Sequence, residues 1–228
     1  MFSKLKKVSF LALAVILGLT VSAFAQDSAG EKGTFKKEPD STKKESTTTK
    51  KNDGDISIGK PKDKSTTQNT SGILFPEVEG WDKSDKTTYP VLGLGYSYNY
   101  ESADGGRVTI YVYDKRLSEI PDGVSNSAVK DEFKQVKNEI SQFGKAGVYQ
   151  NLKEAKSEII TLGGTSGKIK SLYALFYFTV KGQEMASELY IFGYKNNFIK
   201  IRATRPKSAV NSRELANLLA EIDTVFAD

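Results

Sequence analysis

Apolar and polar residues alternate along 96–101 and again along 107–114, with Ser102-Ala103-Asp104-Gly105-Gly106 between the two runs. Period-two alternation is the mark of a strand with one buried face, and the short glycine-containing spacer predicts a hairpin. Pro121-Asp122-Gly123 then breaks the chain. Beyond it Val129, Phe133, Val136, Ile140 and Phe143 recur at helical spacing. Ser127 is the expected N-cap, Asp131 and Glu132 fall in the expected first turn where the helix dipole favours acids, and Gly144 and Gly147 end the helix.

A weaker strand is expected over 154–161, followed by a flexible turn at Gly163-Gly164-Thr165-Ser166-Gly167. Residues 168–180 and 183–194 read as a longer hairpin about Lys181-Gly182. Lys195-Asn196-Asn197 turns the chain into a strand over 198–204, which Pro206 stops. Leu215, Leu218, Leu219, Ile222 and Phe226 form the apolar stripe of a closing helix, with Asn211 and Glu214 placed as a capping box. Sequential hairpins with two separate helices predict an α+β domain: a mostly antiparallel sheet of about six strands covered by two main helices. Ile73-Leu74-Phe75-Pro76 and Trp81 are expected to lie along the sheet or close one end, and Pro90 marks where regular structure begins.

Strand parity then sorts the side chains. One face is expected to carry Val108, Ile110, Val112, Ala174, Phe176, Phe178, Leu189, Ile191, Ile199 and Ile201. The opposite face is expected to carry Thr109, Tyr111, Tyr113, Tyr173, Tyr177, Glu188, Tyr190, Lys200 and Arg202. Tyrosine joins an apolar ring to a polar tip, so such a face suits two roles. A helix covers it and the hydroxyls reach the rim, or it is a binding surface for a peptide or sugar beside Lys200, Arg202 and Glu188. It is the best candidate site in the chain.

The first 25 residues have a different pattern. Lys4, Lys6 and Lys7 precede an apolar run over 8–21, and Ser22-Ala23-Phe24-Ala25 follows. This is the order of a secretory signal peptide with Ala23 and Ala25 at the cleavage site, and the run is short for a bilayer span. Residues 26–72 are rich in Lys, Thr and Ser with few large apolar side chains, a composition expected to stay disordered as a linker. Residues 73–228 make the single α+β domain by length. Export to the periplasm or outside the cell follows, with no transmembrane segment after cleavage.

Composition narrows the chemistry. Among 228 residues there is no cysteine and no histidine, which excludes thiolate and imidazole catalysis, disulfides, and zinc sites built on those ligands. The formal charge of +5 points to nucleic acid only until it is located. Residues 73–228 hold twenty basic and twenty acidic residues, so the excess lies in the leader and linker. A nucleic-acid module concentrates lysine and arginine in its fold, and nucleic acid is not expected as a partner.

Motif spacing excludes more. Gly163-Gly164-Thr165-Ser166-Gly167-Lys168 has three residues between its outer glycines and Ile169 after the lysine, which fails the phosphate-loop pattern. Gly93-Leu94-Gly95 lacks a third glycine, and Asp53-Gly54-Asp55 lacks the glutamate of a calcium loop. Paired carboxylates are the one catalytic route left. Glu184 and Glu188, on one side of a strand, stand about 13 Å apart at strand rise, beyond the roughly 5–9.5 Å of glycoside hydrolysis. Glu158 or Asp114 would have to come alongside. Lys200, Arg202 and Arg205 suit either an anion or the defence of an edge strand.

The element order over 73–228 resembles the Mog1/PsbP-like fold. The stretches 107–114, Ile120-Pro121-Asp122-Gly123 and 198–204 are also similar to exported bacterial proteins of unassigned activity. The resemblance implies action by binding; the metal-binding histidine of photosystem members has no counterpart here. The expected function is an exported, non-enzymatic binding or accessory protein of the bacterial cell envelope, needing no cofactor or metal, with an envelope protein or polymer as partner. The alternatives are a carboxylate-dependent glycan-acting enzyme and a purely structural envelope protein.

Overall fold

A computed structural model describes residues 72–164, 167–210 and 213–227, all within one compact unit. The leader with Ala23 and Ala25, nearly all of the linker, Thr165, Ser166 and the capping residue Asn211 lie outside the described residues. The first hairpin forms where alternation placed it, as β3 (Tyr96–Ser102) and β4 (Arg107–Tyr113). Trp81–Lys83 (β1) and Thr87–Thr88 (β2) both pair with the outer side of β3. The remaining strands are β5 (Gln150–Thr161), β6 (Lys170–Val180), β7 (Gln183–Tyr194) and β8 (Asn197–Pro206).

The result is an α+β domain with an antiparallel sheet of eight strands, two more than expected because short β1 and β2 extend one margin. Its order is β1-β3-β4-β8-β7-β6-β5, so the last strand, β8, returns to the middle of the sheet. Helix α1 (Ser127–Lys145) is capped by Asn126, whose side chain accepts the Val129 N–H at 2.9 Å. Asn126, not Ser127, is therefore the N-cap, and Asp131 and Glu132 fall past the first turn. Glu132 sits three residues after Val129, on the helix's buried side.

The two helices lie on opposite faces. The α1 face is fixed by Glu132, which accepts the Tyr113 hydroxyl at 2.6 Å. Helix α2 (Arg213–Val225) packs on the other face, where the ring of Phe226 meets Phe192, Tyr194 and Phe75 at 5.1, 5.0 and 5.8 Å. There the Trp81 indole donates to the Glu214 carbonyl at 3.2 Å. Apolar side chains on both faces are buried, among them Ile110, Ile199 and Ile201 towards α2 and Leu189 and Ile191 towards α1. Both faces of the sheet are thus core, which is why β4, β7 and β8 carry near-continuous buried runs.

Register corrects the expected sorting of side chains. Tyr194 pairs with Asn197 about a two-residue turn, Lys195-Asn196, in which both residues have positive φ. That is the turn whose twist suits a hairpin. Leu189 therefore stands opposite Arg202 and Ile191 opposite Lys200, while Tyr190 faces Ile201. Residues 195–197 taken together as the turn would slip the register by one and reverse the face of every β8 side chain.

Candidate functional site

The site is built on β8, which alternates apolar residues with Lys200, Arg202 and Arg205. An edge strand with such charges is blunted against pairing, but β8 lies between β4 and β7. Edge protection is therefore ruled out, and each cation has to be accommodated inside the molecule. Lys200 and Arg202 point to α1, Arg205 to α2. All three are buried.

Under α1, Tyr111 stands opposite Lys200 and Thr109 opposite Arg202. The Lys200 ammonium lies 4.2 Å from the Tyr111 ring centroid and 5.5 Å from that of Tyr113. Ring faces attract the cation where no carboxylate forms an ion pair with it among the described residues. Arg202 donates from Nε to Ser187 Oγ at 3.0 Å and from Nη2 to the Tyr149 hydroxyl at 3.4 Å. Tyr149 in turn stacks on Phe178 at 4.2 Å. Glu132 receives Tyr113 on one oxygen and the Lys115 ammonium on the other.

Under α2, Glu188 accepts Arg205 Nη2 at 2.5 Å and, on its second oxygen, the Tyr190 hydroxyl. Arg205 Nη2 also donates to the Val210 carbonyl at 3.0 Å, while its Nε and Nη1 are buried without a partner. Tyr173 packs against Tyr190 at 5.2 Å. At the rim, Lys207 lies 5.5 Å from the Tyr177 ring and pairs with Glu184 at 3.2 Å.

The eight predicted residues consequently do not share a face. Tyr111, Tyr113, Lys200 and Arg202 gather under α1; Tyr173, Tyr177, Glu188 and Tyr190 gather under α2. Seven of them are buried, and Tyr177 is half-buried. Sequence reasoning left Glu132, Tyr149, Ser187 and the Arg205–Glu188 pairing out of the site. Glu132 carried a readable signal, an acid in phase with the apolar stripe of α1. The others depend on register.

Among the described residues, the buried carboxylates are Glu132, Glu188 and Asp223. Asp223 accepts the N–H groups of Lys168 at 2.9 Å and Ile169 at 3.0 Å. A carboxylate thus occupies backbone donors of the glycine turn that a phosphate would need. Glu132 and Glu188 lie on opposite faces, and each holds a cation and a tyrosine. No group of three or more Asp and Glu residues suited to a metal ion occurs among the described residues. The clusters tie helix to strand and strand to strand.

Their burial has a measurable consequence. Burial pushes Lys200 from 10.5 down to about 8, against the pull of Glu139 and Glu132. The folded state then holds this proton less tightly than the unfolded chain, so stability rises as pH climbs from about 8 towards 10.5. Tyrosines act the other way. Burial raises Tyr111 from 10.0 to about 12, and burial with the adjacent carboxylates raises Tyr113 and Tyr190 well above 10.0. The unfolded chain ionises first there, and stability falls above pH 10. Urea unfolding is expected to show a gain of up to about 1 kcal/mol between pH 8 and 9, then a decline as the tyrosines of the unfolded chain ionise. Lys200→Met should abolish the gain and spare the decline; a persisting rise would assign it to another group.

No protein-family model matches the chain, and no curated protein matches it. Among solved structures, a crystal structure of a protein of unknown function from Pseudomonas aeruginosa is similar over 59% of this chain and 77% of its own. The identity is 12% and the TM-score 0.31.

Proposed function

We propose that the chain is an exported, non-enzymatic binding or accessory protein of the bacterial cell envelope, and that it touches its partner through the loops at one end of the sheet. The observation that carries this reading is the exposure of Val91, Leu92 and Leu117 at 53%, 66% and 44% on two adjoining loops. Lys115 N–H donates to the Gly93 carbonyl at 2.9 Å, which joins the loops. Leu94 N–H to Val91 O at 3.1 Å closes the first turn, and Arg116 N–H to Asp114 Oδ1 at 2.8 Å fixes the second. Large aliphatic side chains held outward on rigid backbone beside Lys115 and Arg116 match the apolar centre and polar rim of a protein interface.

Export is supported by the basic, apolar, small-residue order that ends at Ala25. A binding role is supported by the resemblance to the Mog1/PsbP-like fold, and by buried carboxylates already committed to internal cations, hydroxyls and backbone donors. The sheet tyrosines are packing residues in this reading, and the contact role passes to the loops.

Affinity capture from an envelope fraction tests it. The purified chain should retain a discrete envelope protein, and L92D with L117D should reduce that capture at least tenfold while unfolding stays unchanged. Undiminished capture by the double variant would remove the loop end as the contact. Turnover of a glycan by the purified chain would remove the non-enzymatic reading.

A further inference from the structure

The margins of the sheet are built differently. One ends in β1 and β2, three and two residues long, and short strands give another chain little to pair with. The other ends in β5, twelve residues long and exposed along nearly all its length. Two register shifts against β6 occur in β5, both before Lys156. From Lys156 to Thr161 the register is unbroken, Lys156 opposite Leu175 through Thr161 opposite Lys170. This half of the margin is regular strand.

Its backbone direction can be read from the ladder. Leu162 N–H donates to the Ile169 carbonyl at 2.8 Å. Bonded pairs alternate along an antiparallel ladder, so Ile160 and Glu158 turn their backbone groups to β6. Ser157, Ile159 and Thr161 turn theirs outward. The outer margin therefore presents a donor and an acceptor at every second residue, and at 58% exposure the apolar Ile159 lies among them.

We infer that β5 pairs antiparallel with β5 of a second copy of this chain, about a two-fold axis at Ser157. The charges choose both the partner and the register. Lys156 and Glu158 flank Ser157 and share the α2 side of the sheet, as their opposite residues Leu175 and Tyr173 do. An axis at Ser157 sets each Lys156 opposite the Glu158 of the other copy, twice over, in a pair type where side chains come close. It bounds the regular ladder to 156–158 of each copy, because the register shift before Lys156 falls opposite Ile159 and Ile160. An axis at Lys156 would oppose two lysines, and one at Glu158 two glutamates. An axis at Ile159 would form no ion pair. Symmetry of this kind makes one patch complementary to itself. The balanced charge of residues 73–228, twenty basic against twenty acidic, adds no net repulsion between domains.

The whole chain, purified and followed by sedimentation equilibrium across a hundredfold concentration range, should associate to dimers. S157P removes an outward N–H that β6 does not use, so it should weaken association at least tenfold while leaving thermal unfolding nearly unchanged. K156E and E158K should each weaken it, and the double exchange should restore it. The chain has no cysteine, so a single introduced thiol reports one position. S157C should give a disulfide-linked dimer under mild oxidation. I159C should not, because the two copies of that residue lie about 13 Å apart in this register. A monomer at every concentration, a dimer indifferent to S157P, or linkage by I159C in place of S157C would each overturn the inference. None of these results bears on the loop end at Val91, Leu92 and Leu117.

Discussion

Replacing Glu188 with alanine is expected to cost about 3–5 kcal/mol of folding stability, among the largest effects of any single side-chain truncation in the domain. The reason lies in what remains behind. Arg205 is 5% exposed, and Glu188 is its ion-pair partner at 2.5 Å. Its other bond runs to the Val210 carbonyl, and Nε and Nη1 have none. Without the carboxylate a full positive charge stays in a site almost closed to solvent. Guanidinium does not release its proton, so the charge cannot be discarded as a lysine would discard it. The Tyr190 hydroxyl loses its acceptor at the same time.

The second half of that experiment separates a charge effect from a packing effect. Glu188→Met combined with Arg205→Met removes both charges and refills the volume. Buried ion pairs replaced by apolar residues of similar size are often neutral or stabilising. The double variant is therefore expected within about 1 kcal/mol of the parent in urea unfolding. A double variant as unstable as Glu188→Ala would show that the pair sets the packing of Tyr173 and Tyr190, not merely their electrostatics.

Position in the sheet explains why strand parity places these residues together on one face, where the fold divides them between two. The hairpins of 96–114 and 168–194 were legible because each is closed by local turn chemistry between two strand-forming runs, the first alternating and the second nearly continuous in apolar residues. The α1 stripe was legible for the same reason at its own period. Two features were not local. Asn197 serves equally well as a last turn residue or a first strand residue, and the positive φ of Lys195 and Asn196 settles it as strand. Moving that boundary by one residue joins Tyr111 and Lys200 to Tyr190 on paper, where the fold puts them on opposite sides. The place of β8 between β4 and β7 depends on contacts between segments some ninety residues apart, and no window of sequence contains both. Consequently the residue types of the clusters were visible, and their grouping was not. The exposed loops at Val91 and Leu117 carry no periodic signal in the sequence, because exposure is a property of the assembled surface.

Gly193→Ala is expected to be at least as damaging as Glu188→Ala, through sterics alone. Gly193 lies on β7, where the segment before α1 crosses the α1 face of the sheet. A bridge pins the crossing: Gly123 N–H donates to Gly193 O and Gly193 N–H to Gly123 O, both at 2.9 Å. A methyl group at Gly193 would sit 2.1 Å from the Pro121 carbonyl oxygen and 3.3 Å from Val129 Cγ2. That carbonyl has nowhere to go. Asn126 Nδ2 donates to it at 2.9 Å, Ile120 N–H is held by Asn196 Oδ1 at 2.7 Å, and Asp122 Oδ1 accepts Lys195 N–H at 2.7 Å. Relief requires lifting the strap, and with it the capped start of α1, away from β7. Overpacking against fixed backbone costs roughly 3 kcal/mol or more. Gly182→Ala supplies the contrast. That residue has φ +81 and nothing within 4 Å of the added methyl, so only left-handed backbone strain remains, about 1 kcal/mol. The ratio of the two losses in urea unfolding distinguishes steric seating from a general intolerance of glycine replacement. Equal losses near 1 kcal/mol would mean that the strap between Ile120 and Gly123 is free to move, and with it the capped start of α1.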